Sequence, residues 1–229
     1  MAKEQSNSYQ GVMDHYDDLL TGRKWWSRIY WRLIWNEDAN LLAQKVLDFI
    51  PDDFQGRLLD VPVGTAVFTA EKYRRMKGAE IVGLDYSDEM IAIAALRKET
   101  EGIANLSLRQ GDVGDLPYPN ESFDCILSMN GFQAFPDKEK AFAEIFRVLK
   151  PGGFFCGCFY VKGERRSADF FVKKVMERKG FFRPPYDTFA EAKIRLRGMY
   201  GDDVLTERMA SACLFRCVKP QRENADKES

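Results

Sequence analysis

The stretch Leu58-Leu-Asp-Val-Pro-Val-Gly-Thr-Ala-Val-Phe-Thr69 decides how this chain is read. A short apolar run ends in Asp60, passes through a turn containing Gly64, and continues into what reads as a helix. That order predicts the strand–turn–helix of an α/β nucleotide-binding domain. In such a unit the ligand lies across the carboxyl end of the strand, and the helix N-terminus offers unpaired backbone N–H groups. The turn is poor in glycine: where such turns usually carry several, this one has Pro62, Gly64 and Ala66.

Working outward, strands and helices alternate. Upstream, residues 9–50 read as helical, with Leu41, Leu42, Val46, Leu47 and Ile50 at helical spacing. Asn36 or Asp38 can cap the last segment before Pro51 ends it. Downstream, 57–61 is a predicted strand, 67–77 a helix stopped by Gly78, and 80–84 a strand. Ser87 caps a helix over 88–98, with Asp88 and Glu89 in its first turn. Strands follow at 105–109 and 123–129. Asp137 caps a helix through Leu149 whose apolar stripe is Ala141, Phe142, Ile145, Phe146 and Leu149; Pro151-Gly-Gly153 stops it before a strand at 154–161. A helix at 167–179 comes next, then a capping box, Thr188 to Glu191, opening a helix that stops near Gly198. Runs 203–208 and 211–218 are close enough for an antiparallel pair.

This alternation predicts βαβ units and a Rossmann-like doubly wound α/β fold, mostly parallel with a reversed C-terminal strand, plus an N-terminal helical lid. The expected division is 1–50 as lid, 51–220 as the Rossmann-like domain, and 221–229 as a charged, flexible tail. The 229 residues and 45% apolar content suit one domain with an appendage. A net charge of −1 offers no domain-wide basic surface, so nucleic acid is not an expected partner. The polar start, Met-Ala-Lys-Glu-Gln-Ser-Asn-Ser, lacks the apolar core of a signal peptide, and no apolar run is long enough for a transmembrane segment. Five cysteines and one histidine form no metal pattern. The odd cysteine count favours free thiols in a reducing compartment, with cytoplasmic location the expectation.

Three carboxylates recur in one register: Asp60 closes the first strand, Asp85 the second, and Asp112 follows the third. All three are expected to face one crevice at the carboxyl ends. Asp85 lies about 20 residues past the Gly turn, the spacing that suits hydrogen bonding to both hydroxyls of a ribose.

Taken together, Leu58–Thr69, Gly83-Leu-Asp-Tyr-Ser-Asp-Glu-Met90, Gly111-Asp-Val113, Asp115-Leu-Pro-Tyr-Pro-Asn-Glu-Ser-Phe-Asp124 and Leu149-Lys-Pro-Gly-Gly153 resemble the class I S-adenosylmethionine-dependent methyltransferases. Within that superfamily the chain is most similar to the ubiquinone/menaquinone-biosynthesis type of small-molecule methyltransferase, over about residues 9–160. The resemblance implies S-adenosyl-L-methionine as cofactor and S-adenosyl-L-homocysteine as product. It implies that Asp60, Val61, Pro62, Gly64 and Thr65 lie beside the methionine part, that Asp85 binds the ribose, and that Tyr86 and Met90 lie near the adenine. Asp112 would accept from the adenine amino group, with Val113 lining the base pocket and Gly111 also among the cofactor-binding residues. Asn130 and Gly131 would sit by the methionyl end and the substrate. Tyr9 and Tyr16-Asp17 resemble the N-terminal segment that closes over the cofactor. The family has glycines at the positions of Pro62 and Ala66. Pro62 removes a backbone donor, and Ala66 adds a methyl where the backbone usually approaches closely.

For the acceptor side, His15 is the only histidine and the candidate general base; a surface or hydrogen-bonded role is its other reading. Gln133 can orient a polar substrate group. Phe132 and Phe135 either face the sulfonium or pack the core. All four tryptophans lie within residues 24–35. With Arg28 and Arg32 beside Trp31 and Trp35, that segment suits an apolar acceptor or peripheral membrane contact, unless later elements cover both faces. The expected function is methyl transfer to a small apolar or aromatic acceptor, an isoprenoid compound among them, with the oligomeric state open. One rival is an NAD(P)-dependent oxidoreductase, which the missing three-glycine fingerprint disfavours. The other is a non-catalytic S-adenosylmethionine-binding or regulatory protein. No Asn/Asp-Pro-Pro-aromatic tetrapeptide occurs at 128–131, against nucleic-acid methylation.

Overall fold

The computed structural model describes residues 38–221. Its elements run α1 (Ala39–Leu47), β1 (Gly56–Asp60), α2 (Ala70–Arg75), β2 (Ala79–Asp85), α3 (Asp88–Glu101), β3 (Leu106–Gln110) and β4 (Phe123–Met129). Then come α4 (Lys138–Val148), β5 (Leu149–Tyr160), α5 (Arg166–Phe171) with a π-helical turn at Val172–Met176, α6 (Phe189–Tyr200), β6 (Val204–Met209) and β7 (Ala212–Val218). The seven strands form one sheet in the order β3-β2-β1-β4-β5-β7-β6. β1 to β5 pair in parallel; β7 runs antiparallel to both β5 and β6. The expected doubly wound sheet with a reversed C-terminal strand is therefore present.

Period-two alternation of apolar residues builds a core on each face of the sheet. Leu59, Val82, Ile126 and Phe155 point to the face covered by α4 and α6, where they meet Phe142, Ile145, Leu196 and Tyr200. Their neighbours Leu58, Ile81, Cys125 and Cys156 point to the opposite face, against Leu42, Val46, Tyr73 and Met76. Helix α1 is thus a layer of the domain: Asp38 caps it through the N–H groups of Asn40 and Leu41, and Leu42, Val46, Leu47 and Ile50 pack on the sheet. The part of the 1–50 segment that is described packs as core, which moves the domain's start ahead of residue 51. Leu41, expected on the apolar stripe, is 46% exposed because α1 turns it away from the sheet. Residues 1–37, with Tyr9, His15, Tyr16 and the tryptophans, and residues 222–229 of the tail lie outside the described residues.

Two further expectations are corrected. Pro151-Gly-Gly153 lies within β5 and does not precede it. The register jumps from Phe123↔Leu149 to Cys125↔Phe154, so the Pro-Gly-Gly run is accommodated as a bulge, with Gly152 at φ +74°. The helix after the decisive turn starts at Ala70, three residues beyond the expected start, because Ala66, Thr69 and Ala70 N–H groups first close consecutive turns onto Val63 and Ala66 carbonyls. Its N-terminus is therefore set back from Gly64.

All five cysteines are buried free thiols. Among the described residues, no helix is long and apolar enough to cross a membrane.

Candidate functional site

Strand order reverses at β1, which has β2 on one side and β4 on the other, so the topological switch point lies beyond the carboxyl ends of β1 and β4. Past Asp60 the backbone stays bonded to both neighbours. Val61 N–H donates to the Leu127 carbonyl and Val63 N–H to the Leu84 carbonyl, each at 2.9 Å. Gly64 then takes a left-handed conformation, φ +53°, with open space where a side chain would project.

Asp85 joins this turn to the next helix. Its Oδ2 accepts from Gly64 N–H and its Oδ1 from Ser87 N–H, both at 2.9 Å; Ser87 is the N-cap of α3. Burial raises the Asp85 carboxyl above its ordinary value, and backbone donors from Ser87, Gly64 and Tyr86 pull the other way. Each oxygen still has a lone pair for a further donor. Beside it Tyr86 stands 77% exposed, a free aromatic face at the end of β2, while Met90 N–H donates to Ser87 Oγ.

The expectation that all three carboxylates face one crevice is corrected for Asp60, which is 1% exposed and sealed beneath the turn. Its Oδ2 accepts from the Tyr73 hydroxyl at 2.7 Å, and burial pushes its carboxyl up to about 7; the Tyr73 bond opposes that rise and the nearby Asp85 charge adds to it. Arg97, on α3, donates through Nε to the Thr65 carbonyl at 2.8 Å and so anchors the far side of the turn. Ala66 takes φ +56°, and its methyl packs with Val63 and Ala94 in a small core cluster. The expected intrusion of this methyl on the crevice is thus corrected: the left-handed backbone points it into the protein.

At the end of β3, Gly111 N–H donates to the Asp85 carbonyl at 2.9 Å, which ties the third strand end to the second. Asp112 is exposed, with Oδ1 accepting from Gly114 N–H, and Val113 is buried. At the end of β4, Asn130 takes φ +56°; its N–H donates to the Cys158 carbonyl and its Oδ1 accepts from Gln133. Gly131 meets the first turn directly: a Cβ there would lie 2.4 Å from Pro62 Cδ and 2.5 Å from Phe135 Cζ. Ser128 Oγ, in the same corner, is buried without a hydrogen-bond partner. The structure therefore gathers Asp60, Val61, Pro62, Gly64, Thr65, Asp85, Gly111, Asp112, Val113, Asn130 and Gly131 at the ends of four adjacent strands.

A second, small cleft opens on the β4–β5 side and is lined by Phe132, Gln133, Lys138, Phe159, Tyr160 and Tyr186, among others. Phe132 is core at its back, stacked on Phe142 with centroids 4.1 Å apart. Gln133 is buried and bridges Asn130 to the Tyr160 backbone. Burial and the Asp169 carboxylate raise the Tyr160 phenol, whose hydroxyl donates to Asp169. Burial lowers the Lys138 ammonium.

Sequence reasoning missed Tyr73 and Arg97. For Arg97 a signal was present, a cation on the stripe of α3 that carries Ile93 and Ala94. Tyr73 had none: a tyrosine on a buried helix face reads as packing.

Residues 59–157 match a family model described as a methyltransferase domain. The demethylmenaquinone methyltransferase of Thermus thermophilus is 36% identical over 110 residues, 48% of this chain and 50% of that protein. The ubiquinone/menaquinone biosynthesis C-methyltransferase of Proteus mirabilis is 40% identical over 42% of this chain and 39% of its own length. The chain thus spans half or less of the length of these curated relatives. Among solved structures, the phosphoethanolamine N-methyltransferase 2 of Haemonchus contortus in complex with S-adenosyl-L-methionine aligns with a TM-score of 0.63 at 21% identity, over 78% of this chain and 52% of that one. A SAM-dependent methyltransferase of Aquifex aeolicus aligns with a TM-score of 0.58 at 18% identity, over 82% and 93%. The reversed β7 between β5 and β6 also departs from the 3-2-1-4-5-6 order of dinucleotide-binding sheets. Over residues 59–157 the chain thus carries a match to a methyltransferase domain, and the crevice lies at the carboxyl ends of that segment's strands.

Proposed function

We propose that this chain transfers the methyl group of S-adenosylmethionine to a small apolar ring compound of the quinol type, the reduced form of a quinone. One observation carries the reading: Asp85 and Asp112 stand at the ends of adjacent parallel strands beside the open turn at Gly64, with Asp60 buried beneath that turn as its support. The names of the relatives, demethylmenaquinone methyltransferase and ubiquinone/menaquinone biosynthesis C-methyltransferase, support the acceptor class.

The residues present fit the cofactor. Asp85 keeps one lone pair on each oxygen for a vicinal diol, Tyr86 offers an uncovered ring for a flat base, and Asp112 and Val113 pair an acceptor with an apolar wall. Pro62 supplies no N–H, but Asp85 already takes the Gly64 donor, so the turn is held through the carboxylate. When bound, the cofactor supplies a methyl group activated by its sulfonium. The chain's own part is alignment, which is worth up to about 7–11 kcal/mol in favourable cases. Asp60 and Tyr73 keep the turn rigid from below, Arg97 holds it from the side, and Gln133 ties the β4 loop to β5. Phe132, Phe159 and Tyr160 offer an apolar wall to a ring. His15 is the residue we assign to accept a proton from the acceptor's hydroxyl, which makes its ring carbon nucleophilic.

Calorimetric titration with S-adenosylhomocysteine, with NADH as control, tests the site; transfer of labelled methyl to a short-chain naphthoquinol tests the acceptor. Binding of the first ligand alone and label on a ring carbon are expected. Binding of NADH would overturn the cofactor assignment. Tight S-adenosylhomocysteine binding with no transfer would favour a non-catalytic protein.

A further inference from the structure

Residues 166–183 present two different faces. Inward, Ala168, Val172 and Phe182 form a small core with Tyr160, and Phe182 lies 5.7 Å from the Tyr160 ring and 6.2 Å from the Tyr186 ring, which line the second cleft. Outward, every exposed charged residue is a cation: Arg166, Lys173, Lys174, Arg178, Lys179 and Arg183. The two acids of the segment are turned inward: Asp169 accepts from Tyr160 and Gly163, and Glu177 is half-buried. Among the described residues none of the six cations has an ion-pair partner.

Two large apolar rings of the same segment are also exposed. Phe170 is 67% exposed and Phe181 52%. Phe170 precedes Lys173 and Lys174 by three and four residues, so ring and cations lie on one side of the helix. Single exposed apolar residues are ordinary. Here two rings stand among six cations, in a chain whose net charge is −1. A surface that is cationic and apolar together matches the boundary between anionic headgroups and acyl chains. Duplex nucleic acid would reward the cations and leave the phenylalanines without a use, and a single strand, whose bases stack on such rings, is an outcome of the test.

We infer that the outer face of residues 166–183 docks on an anionic lipid bilayer. Phe170 and Phe181 enter the headgroup–acyl boundary while the six cations meet lipid phosphates. The inner side of this segment packs behind Tyr160 and Tyr186, two residues that line the cleft, so docking brings the cleft near the source of an apolar compound. The inference goes beyond the proposed reaction and stands without it.

The test is co-sedimentation of the full chain with vesicles of phosphatidylcholine alone and of phosphatidylcholine mixed with phosphatidylglycerol, at low and high salt. Binding to the anionic vesicles only, weakened by salt, is expected. Lys173→Glu with Lys174→Glu should reduce partitioning about tenfold or more. Phe170→Ser with Phe181→Ser should reduce it several-fold and leave the salt dependence in place. Circular dichroism and unchanged S-adenosylhomocysteine binding check that both variants fold. Equal binding to neutral and anionic vesicles, wild-type binding by both variants, or retention on single-stranded RNA without vesicle binding would each overturn the inference.

Discussion

Tyr73 donates its hydroxyl hydrogen to Asp60 Oδ2 across 2.7 Å, and neither side chain is more than 1% exposed. The bond connects the carboxyl end of β1 to the helix that follows the turn, so the floor of the crevice is a buried acid–phenol pair.

That pair gives the protein a signed pH dependence. Burial holds the Asp60 carboxyl at about 7, above its ordinary 3.8, so the folded state binds a proton that the unfolded state has lost. The contribution to stability is therefore most favourable below 3.8, declines as pH rises, and levels off beyond about 7. Asp60→Asn removes the titration, so urea denaturation should show the variant gaining on the wild type across that window. Tyr73→Phe removes the donor to the carboxylate. It should cost about 1–3 kcal/mol above neutral pH and extend the decline to higher pH. Parallel pH profiles for wild type and Asp60→Asn would defeat this account.

Asp85→Ala should weaken S-adenosylhomocysteine binding by about 1–3 kcal/mol, the scale of a charge-assisted hydrogen bond. It also frees the N–H groups of Gly64 and Ser87, so the turn and the α3 cap loosen together. Calorimetry on the folded variant measures the loss, and unchanged affinity would remove the crevice from the proposal.

Gly131→Ala should destabilise by about 1–3 kcal/mol, the usual cost of overpacking, because the new methyl meets Pro62 and Phe135. Pro62→Gly clears one of those contacts. The double variant should recover part of the loss, with a coupling of about 0.5 kcal/mol or more in a denaturation cycle. Strict additivity would mean that the contact between the two loops is not felt.

Ala66→Gly should be nearly neutral, within about 0.5 kcal/mol. Relief of the left-handed backbone, about 1–2 kcal/mol, is offset by loss of a buried methyl, about 0.8 kcal/mol, and by the freer unfolded chain. Thermal unfolding measures the difference. A loss of several kcal/mol would show that the methyl matters far more to the Val63–Ala94 cluster than its area suggests.

The alternation of strands and helices, the reversed C-terminal pair and three caps were all legible in the chain. Ser87, Asp137 and Thr188 each accept from the backbone N–H that their spacing implies. Local signals of this kind need only neighbours a few residues away, and so did the register that set Asp60, Asp85 and Asp112 at successive strand ends.

What only tertiary structure decided depends on partners distant in sequence. Asp60 becomes a raised acid because Tyr73 and the sheet seal it, Thr65 is held because Arg97 reaches across from α3, and Gly131 must stay bare because Pro62 occupies its side-chain space. The Pro-Gly-Gly run joins β5 because β4 offers it a register. The amino-acid order thus determined which groups arrive at the crevice. Their ionisation, rigidity and room were settled by packing, since burial and steric contact are properties of the surroundings and no residue carries them alone.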